Sequence, residues 1–432
     1  MRNTYGRISF LSNSTVAVTG RMIWRHRKTV RGLLTQLRQL GQTPHDLPLL
    51  LALQEGLRKS ILKVEQRILV IKAKVGMRKR ELKTARLSKE AARKLKKSMQ
   101  RRFEDLENYQ AMLVALKTIG DGIAHCYFAT HDLRTLSMKE SPGFITGKRG
   151  ASLEVKSLRA VIRHGMPAVL CDLTNTLRYG DIAYPSGGGA PNVIEVKSGK
   201  VDENSEQMAK LRNVLDYLRT DSGSGVYGGS QPIRRIQLTR DFEFCHAALN
   251  SVINAAYQDP AGFTSVHVEP GLWYAAMLPS DEDYDSRFDK VLAPILRQCS
   301  QPTAFYLNVH KDVWAAHTPY ALSIADVEHV LDFMEGSLSL FVILDLAVLA
   351  NELAKHGLEA TFHQREPHVV ILRGDIISER GLQEMHVGSH MFFRIAMEFV
   401  SVSSFALVTA DYLKKVLSDK ELLASFTGEP QE

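Results

Sequence analysis

Cysteine is scarce in this chain of 432 residues: there are four, Cys126, Cys171, Cys245 and Cys299. They lie far apart and form no C-x-x-C pair, which argues against a zinc ribbon and against a disulfide framework, and fits a reducing cytoplasm. Long apolar runs are lacking as well. The longest, at 338–350, is broken by Ser339 and Asp345, too short and too polar to span a bilayer. The first twenty residues hold no sustained apolar stretch behind their charge, so neither a signal peptide nor a membrane partner is expected. The glycine-rich DSGSGVYGGS at 221–230 lacks the Lys-Ser/Thr ending of a phosphate-binding loop and reads as a flexible connection. There is no internal repeat and no extended low-complexity tract.

Positive charge, by contrast, is abundant and unevenly placed. Residues 1–120 carry 27 Lys+Arg against 8 Asp+Glu, a net of +19, whereas 121–432 carry 28 against 39, a net of −11. Such a segment needs a polyanion to face, nucleic acid first, or an acidic surface of its own chain. Its periodicity is helical. Leu33, Leu34, Leu37 and Leu40 share one stripe, and the loop GQTPHD at 41–46 ends it. Leu50, Leu53, Leu57, Ile61, Val64, Ile68 and Ile71 recur at spacings of three and four, which predicts a helix over about 47–86. Ser88 is an N-cap for a second helix over about 89–118. The two form a long helical hairpin whose tip gathers Arg78, Lys79, Arg80, Arg93, Lys94, Lys96, Lys97, Arg101 and Arg102. Aromatic residues do not alternate with these cations, so contacts to a phosphate backbone suit the tip better than base stacking.

From 151 the composition turns α/β. A helix is expected at 151–165, strands at 167–173, 179–184 and 192–199, a helix at 203–220, and a strand at 233–239. Three glycines between two prolines, PSGGGAP at 185–191, mark the turn between the second and third strands. Beyond 240 the pattern is mixed, with strands expected at 303–310 and 368–377 and helices at 325–335, 338–356 and 409–425. His125, His131, His386 and His390 read as packing or surface residues, although the last two have the i, i+4 spacing of a helix face.

The word EVKS occurs twice, at 154–157 and 195–198, and Glu-x-Lys a third time at Glu81-Lys83. Local geometry separates them. On a strand, residues i and i+2 point to one face; on a helix they diverge by about 200°. Only Glu195 and Lys197 fall on an expected strand. Asp181 stands on the preceding strand and reaches Glu195 if the two pair as a hairpin. Two carboxylates and the Val196 carbonyl then suit Mg²⁺ or Mn²⁺, a hard cation that prefers oxygen. A second GDI, at 374–376, has no Glu-x-Lys after it, so Asp375 reads as a strand-end residue.

Asp181, a turn, Glu195-Val196-Lys197, and then a helix bearing Gln207 resemble the PD-(D/E)xK nuclease superfamily over about 151–240. The resemblance implies an α/β fold with a restriction-endonuclease-like α-β-β-β-α-β core. It implies Asp181 and Glu195 as metal ligands with the Val196 carbonyl, Lys197 as the catalytic lysine, Glu154 as a further metal-directed acid, and Gln207 as an accessory catalytic residue. Gly180 stands where the family usually has proline. The expected organisation is a basic helical hairpin or coiled coil at 1–120, a nuclease-like domain at 121–240, and a mixed α/β region of unassigned role at 241–432. The expected function is Mg²⁺-dependent phosphodiester hydrolysis, in double-stranded DNA first, in a cytoplasmic setting such as bacterial genome or antiviral defence. The N-terminal helices also offer a surface for self-association or a partner subunit. The alternative is a non-catalytic nucleic-acid-binding or assembly protein with an inactive nuclease-like core.

Overall fold

The computed structural model describes residues 16–138, 143–186, 191–197, 205–226, 232–236, 238, 240–279, 284–307, 309, 317–362, 369–379, 383–388 and 391–419. Three helices open the chain: α1 (Val16–Gln42), α2 (Leu47–Thr84) and α3 (Lys89–His125). Their boundaries follow from capping. Asp46 accepts the Leu49 N–H at 2.9 Å and Ser88 accepts the Ala91 N–H at 3.2 Å, each satisfying a donor that a helix start leaves open. The leucine and isoleucine stripe of α2 is buried from Leu50 to Val75. Burial of each such side chain stabilises the fold by roughly 1.5–3 kcal/mol, which holds α2 against α3.

After α4 (Thr130–Leu136) come α5 (Ala151–Arg163) and the short strand β1 (Val169–Leu170), which runs into a 3-10 turn at Cys171–Leu173. Strands β2 (Ile182–Pro185) and β3 (Pro191–Ile194) follow, then α6 (Glu206–Thr220), β4 (Ser222–Ser224) and β5 (Pro232–Arg234). The sheet β1-β2-β3 is antiparallel, with Leu170 opposite Ile182 and Ile182 opposite Ile194. Helix, three strands and helix follow one another as expected, but a further strand, β4, precedes β5 and the two pair in a separate hairpin. Several expectations change. The second strand starts at Ile182, so Asp181, expected on it, lies just before it, and Ser222–Ser224, expected within a flexible connection, form β4. The third strand ends at Ile194, so Glu195 and Lys197 lie just past it. The first is only two residues long before the chain turns.

The C-terminal half contains α7 (His246–Gln258), β6 (Phe263–Glu269), β7 (Leu272–Met277), α8 (Tyr284–Gln298), β8 (Pro302–Leu307), α9 (Tyr320–Ser323), α10 (Val327–Glu335) and β9 (Ser339–Asp345). Then come α11 (Leu346–Ala354), β10 (Glu359–Phe362), β11 (Val369–Arg373), α12 (Asp375–Ser378), β12 (Met385–Gly388), α13 (Phe393–Met397) and α14 (Val402–Ser418). One antiparallel sheet has the order β6-β7-β9-β8 and a second the order β10-β11-β12. The helix expected at 338–356 is instead β9 followed by α11. Every residue of β9 is buried, and a continuous apolar run does not distinguish a central strand from a buried helix. His386 lies on β12, 2.7 Å from Glu384, and His390 is outside the described residues. The strand expected to run to 377 ends at Arg373, and Asp375, expected as a strand-end residue, is instead the first residue of α12.

Polar contacts join the halves, the largest groups being built around Arg27 and Glu398. Arg27 of α1 reaches Glu328, Asp332 and Glu335 of α10 at 3.0, 2.9 and 2.7 Å. Glu398, just beyond α13, is buried and takes Arg134, Arg394 and His317 as partners. Its own burial works against ionisation, but these partners outweigh that cost and hold the carboxyl well below its ordinary range.

The three-stranded sheet is attached to α2 through Gln54. The Gln54 side chain is fully buried; its Nε2 donates to the Ala168 carbonyl at 2.9 Å, and its Oε1 accepts the Leu170 N–H at 2.9 Å. It does for β1 what a neighbouring strand would do. Gln54→Met leaves both backbone groups without that partner. At about 1–3 kcal/mol for each unsatisfied group, urea unfolding is expected to show a loss of about 2–6 kcal/mol.

Candidate functional site

The register of the small sheet brings the carboxylates together. The Asp181 N–H donates to the Ile194 carbonyl at 2.9 Å, and the Asp181 carbonyl accepts the Cys171 N–H at 3.0 Å. Asp181 is thereby held between the end of β3 and the turn after β1, where Asp172 projects. Glycine makes this approach possible twice. Gly180 has φ +64°, and a Cβ there would lie 2.2 Å from Val193 Cγ1. Proline, restricted to φ near −65°, does not fit that conformation. On the other side, a Cβ on Gly120 of α3 would meet the Leu173 carbonyl at 2.0 Å, so the helix lies hard against the turn that carries Asp172.

Four charged side chains meet there. Lys148 Nζ lies 2.8 Å from Asp172 Oδ2, 2.8 Å from Asp181 Oδ1 and 3.0 Å from Glu154 Oε1. Glu154 is on the buried face of α5. The second oxygen of Asp181 accepts the Val196 N–H at 2.8 Å. Beside this group, past the end of β3, Lys197 Nζ is 2.8 Å from Glu195 Oε1. Glu195 is the more buried of the two, with its side chain 8% exposed against 37% for Lys197.

The electrostatics follow from burial and crowding. Burial pushes the Glu154 carboxyl up; Lys148 pulls it back, while Asp181 and Asp172 add to the rise. Burial also works against the Lys148 charge, but Asp172 and Asp181 outweigh it and hold the ammonium well above the ordinary lysine range. The Cys171 thiol is pushed far up by burial and by the charges of Asp172, Asp181 and Glu195. It is therefore a packed thiol, not a thiolate nucleophile.

The loop carrying Lys148 is fixed from α2. Glu65 accepts the Ile145 and Thr146 N–H groups at 3.1 and 2.8 Å, and Lys72 sits over the Phe144 ring at 5.3 Å.

Of the residues expected at a metal site, the structure brings Glu154 and Asp181 to one cation, places Glu195 and Lys197 as a pair beside them, and brings Val196 in through its N–H. Gln207 lies in the first turn of α6, and its side chain is outside the described atoms. Two members of the group are absent from the sequence reading. Asp172 follows the apolar run AVLC, and an acid at the end of a buried strand was the available signal. Lys148 lies in a loop and gave none. Among the described residues, no group of three or more His, Cys, Asp or Glu side chains is arranged to hold a metal ion. The oxygens stand around an ammonium at 2.8–3.0 Å, wider than the roughly 2.0–2.1 Å that Mg²⁺ requires. Hard oxygen donors suit such an ion by type, but around Lys148 they are not arranged to hold one.

At the hairpin tip, Lys79, Arg80, Arg93, Lys94, Lys96, Lys97 and Arg101 are exposed, while Arg78 and Arg102 are half-buried. Arg78 bonds Ser98, and Lys79 lies over the Phe103 ring at 5.3 Å, so these two also tie the arms together. No helix among the described residues is long and apolar enough to cross a membrane. Compared with family models, curated proteins and solved structures, the chain matches none.

Gly180→Ala tests the packing behind the cluster. The left-handed backbone costs roughly 1–2 kcal/mol for a residue with a Cβ, and overpacking against Val193 adds about 1–3 kcal/mol. A loss of about 2–5 kcal/mol in urea unfolding is expected, and a neutral result would show that the turn relaxes freely.

Proposed function

We propose that this chain is a metal-dependent nuclease that hydrolyses phosphodiester bonds, with DNA as its first substrate. The observation that carries the reading is the convergence of Glu154, Asp172 and Asp181 on a single cation, with the Glu195–Lys197 pair alongside. A carboxylate cluster from three chain segments, next to a lysine held in place by an acid, matches the needs of phosphoryl transfer better than those of a structural salt bridge alone. Glu154, Asp172 and Asp181 would hold Mg²⁺ or Mn²⁺. The ion would polarise the scissile phosphate and neutralise developing charge. Lys197, tethered by Glu195, positions the attacking water. The exposed cations of the hairpin tip bind the phosphate backbone, which orients the duplex without reading its sequence.

Purified protein is expected to degrade plasmid DNA in Mg²⁺ or Mn²⁺ and not in EDTA. Asp181→Asn, Glu195→Ala and Lys197→Ala should each lower the rate by about a hundredfold or more while leaving DNA affinity intact. A Lys197→Ala protein that cleaves as fast as the wild type would remove the assignment.

The tip makes its own prediction. Replacing Arg93, Lys96, Lys97 and Arg101 by Gln should weaken DNA binding. It should also reduce the slope of log K against log[salt] by up to about 0.9 for each phosphate that is no longer neutralised. An unchanged slope would place the nucleic-acid surface elsewhere.

The second reading, a non-catalytic nucleic-acid-binding or assembly protein, has one observation in its favour: Lys148 already fills the point on which the carboxylates converge. It predicts the salt-dependent binding without the cleavage.

A further inference from the structure

We infer that the buried group around Glu398 is an acid-sensitive clasp between the N-terminal helices and the C-terminal half, closed while its histidines are neutral and opened when they take up protons.

The group draws on α3, α4, α7, α13 and the segment at His317. Glu398 is 1% exposed; it accepts from Arg134 of α4 and, at 2.7 Å, from Arg394 of α13, and it lies 3.2 Å from His317 Nδ1. His317 faces Arg134 and Arg394 as well. His125, at the end of α3, faces Glu398, Arg134 and the His317 backbone. His246, at the start of α7, faces the backbone and carboxylate of Glu398, and its Nε2 is sealed from solvent with no hydrogen-bond partner.

Two guanidiniums against one carboxylate already leave this group positive. A proton added to any of the three histidines therefore enters a buried site with no acid left to receive it, which is costly. The acids around the group are engaged elsewhere: Asp132 by Arg235, and Glu269 by the Val402 N–H and the Ser401 hydroxyl. Glu243 is exposed and faces the Cys245 thiol. His131, also on α4, faces Asp132, Arg235, Arg134 and Asp221. The backbone adds tension. Phe399, next to Glu398, has φ +58°, a conformation costly for a residue with a Cβ, and its carbonyl is tied to the Cys245 N–H at 2.6 Å. Opening relieves it.

Burial holds all three histidines below their ordinary value, His125 down to about 4, with Glu398 pulling the other way. The closed form thus binds fewer protons than the open one. Closure is strongest above about pH 6.5 and is lost as the pH falls below it, by up to about tenfold per unit for each histidine. Glu398, itself held well below the ordinary glutamate range, adds to the loss only in stronger acid. The other contact between the halves persists, because Arg31 and Arg27 hold the Glu328 carboxyl below its ordinary range.

The native thiols report the opening. Cys126 and Cys245 each adjoin one of the histidines, whereas Cys171 and Cys299 do not. Labelling by a dipyridyl disulfide, which reacts in acid as well as at neutral pH, is followed by peptide mass spectrometry and scaled to urea-unfolded protein at the same pH. From about pH 7 to about pH 5, labelling of Cys126 and Cys245 should gain about tenfold or more, with Cys171 and Cys299 unchanged. The combined variant His125→Gln, His246→Gln, His317→Gln should lose that gain; where it does not fold, each single variant should reduce it. No gain in the wild type, an equal gain at all four thiols, or a gain that survives the histidine substitutions overturns the clasp.

Discussion

Two polar side chains inside the apolar stripe of α2 determine where everything at the site lies. Gln54 and Glu65 are both fully buried on that helix, and neither faces another side chain as its main partner. Gln54 takes the place of a strand neighbour for β1, and Glu65 gathers two N–H groups of the loop before α5. Buried backbone groups need partners, and here one helix supplies them to two separate segments. The turn bearing Asp172 and the loop bearing Lys148 are thus referenced to the same rigid rod. The carboxylates meet because that rod fixes the segments that carry them.

The same rod resolves the imbalance of charge along the chain. Of the two kinds of partner that its composition allows, one lies inside the molecule. Arg27 and Arg31 of α1 lie against the acidic face of α10 within the molecule. The cations near the ends of α2 and α3 meet no such acidic face among the described residues and point to solvent, apart from local contacts such as Lys94 with Glu90 at 2.6 Å. Surface pairs of that kind contribute little to stability. Concentrating so many cations there is costly in mutual repulsion and is relieved by a polyanion. The buried cluster around Lys148 obeys a different rule. Removing one partner from a buried charged group leaves the others uncompensated, so its members depend on one another in a way that the tip cations do not.

How much of this was legible in the sequence depends on whether the signal was local. The starts of α2 and α3 were readable because Asp46 and Ser88 act within their own first turns. Glu195 and Lys197 were expected to share a strand face; they do pair, but past the end of β3, at Ile194. Glu154 was placed on a helix with its direction open, and only the packing of α5 turns it inward. Lys148 and Asp172 are 24 residues apart and meet through contacts that neither segment encodes alone. The run ending in Asp345 was misread because uniform burial removes the alternation that marks a strand. The PD-(D/E)xK resemblance rested on a short motif; a strand, β4, lies in the expected flexible connection, and β5 pairs with it and not with the β1-β2-β3 sheet.

The brevity of β1 has a consequence for how the molecule assembles. Two residues make too short a ladder to persist in water, and the glutamine that completes it lies 116 positions away in sequence from Leu170. Local helical turns form quickly, whereas contacts across long loops must wait until the ends have met. The N-terminal helices therefore serve as the template on which the small sheet condenses. Asp172 and Asp181 come into register only after that docking, so the carboxylate cluster is among the last parts of the chain to exist.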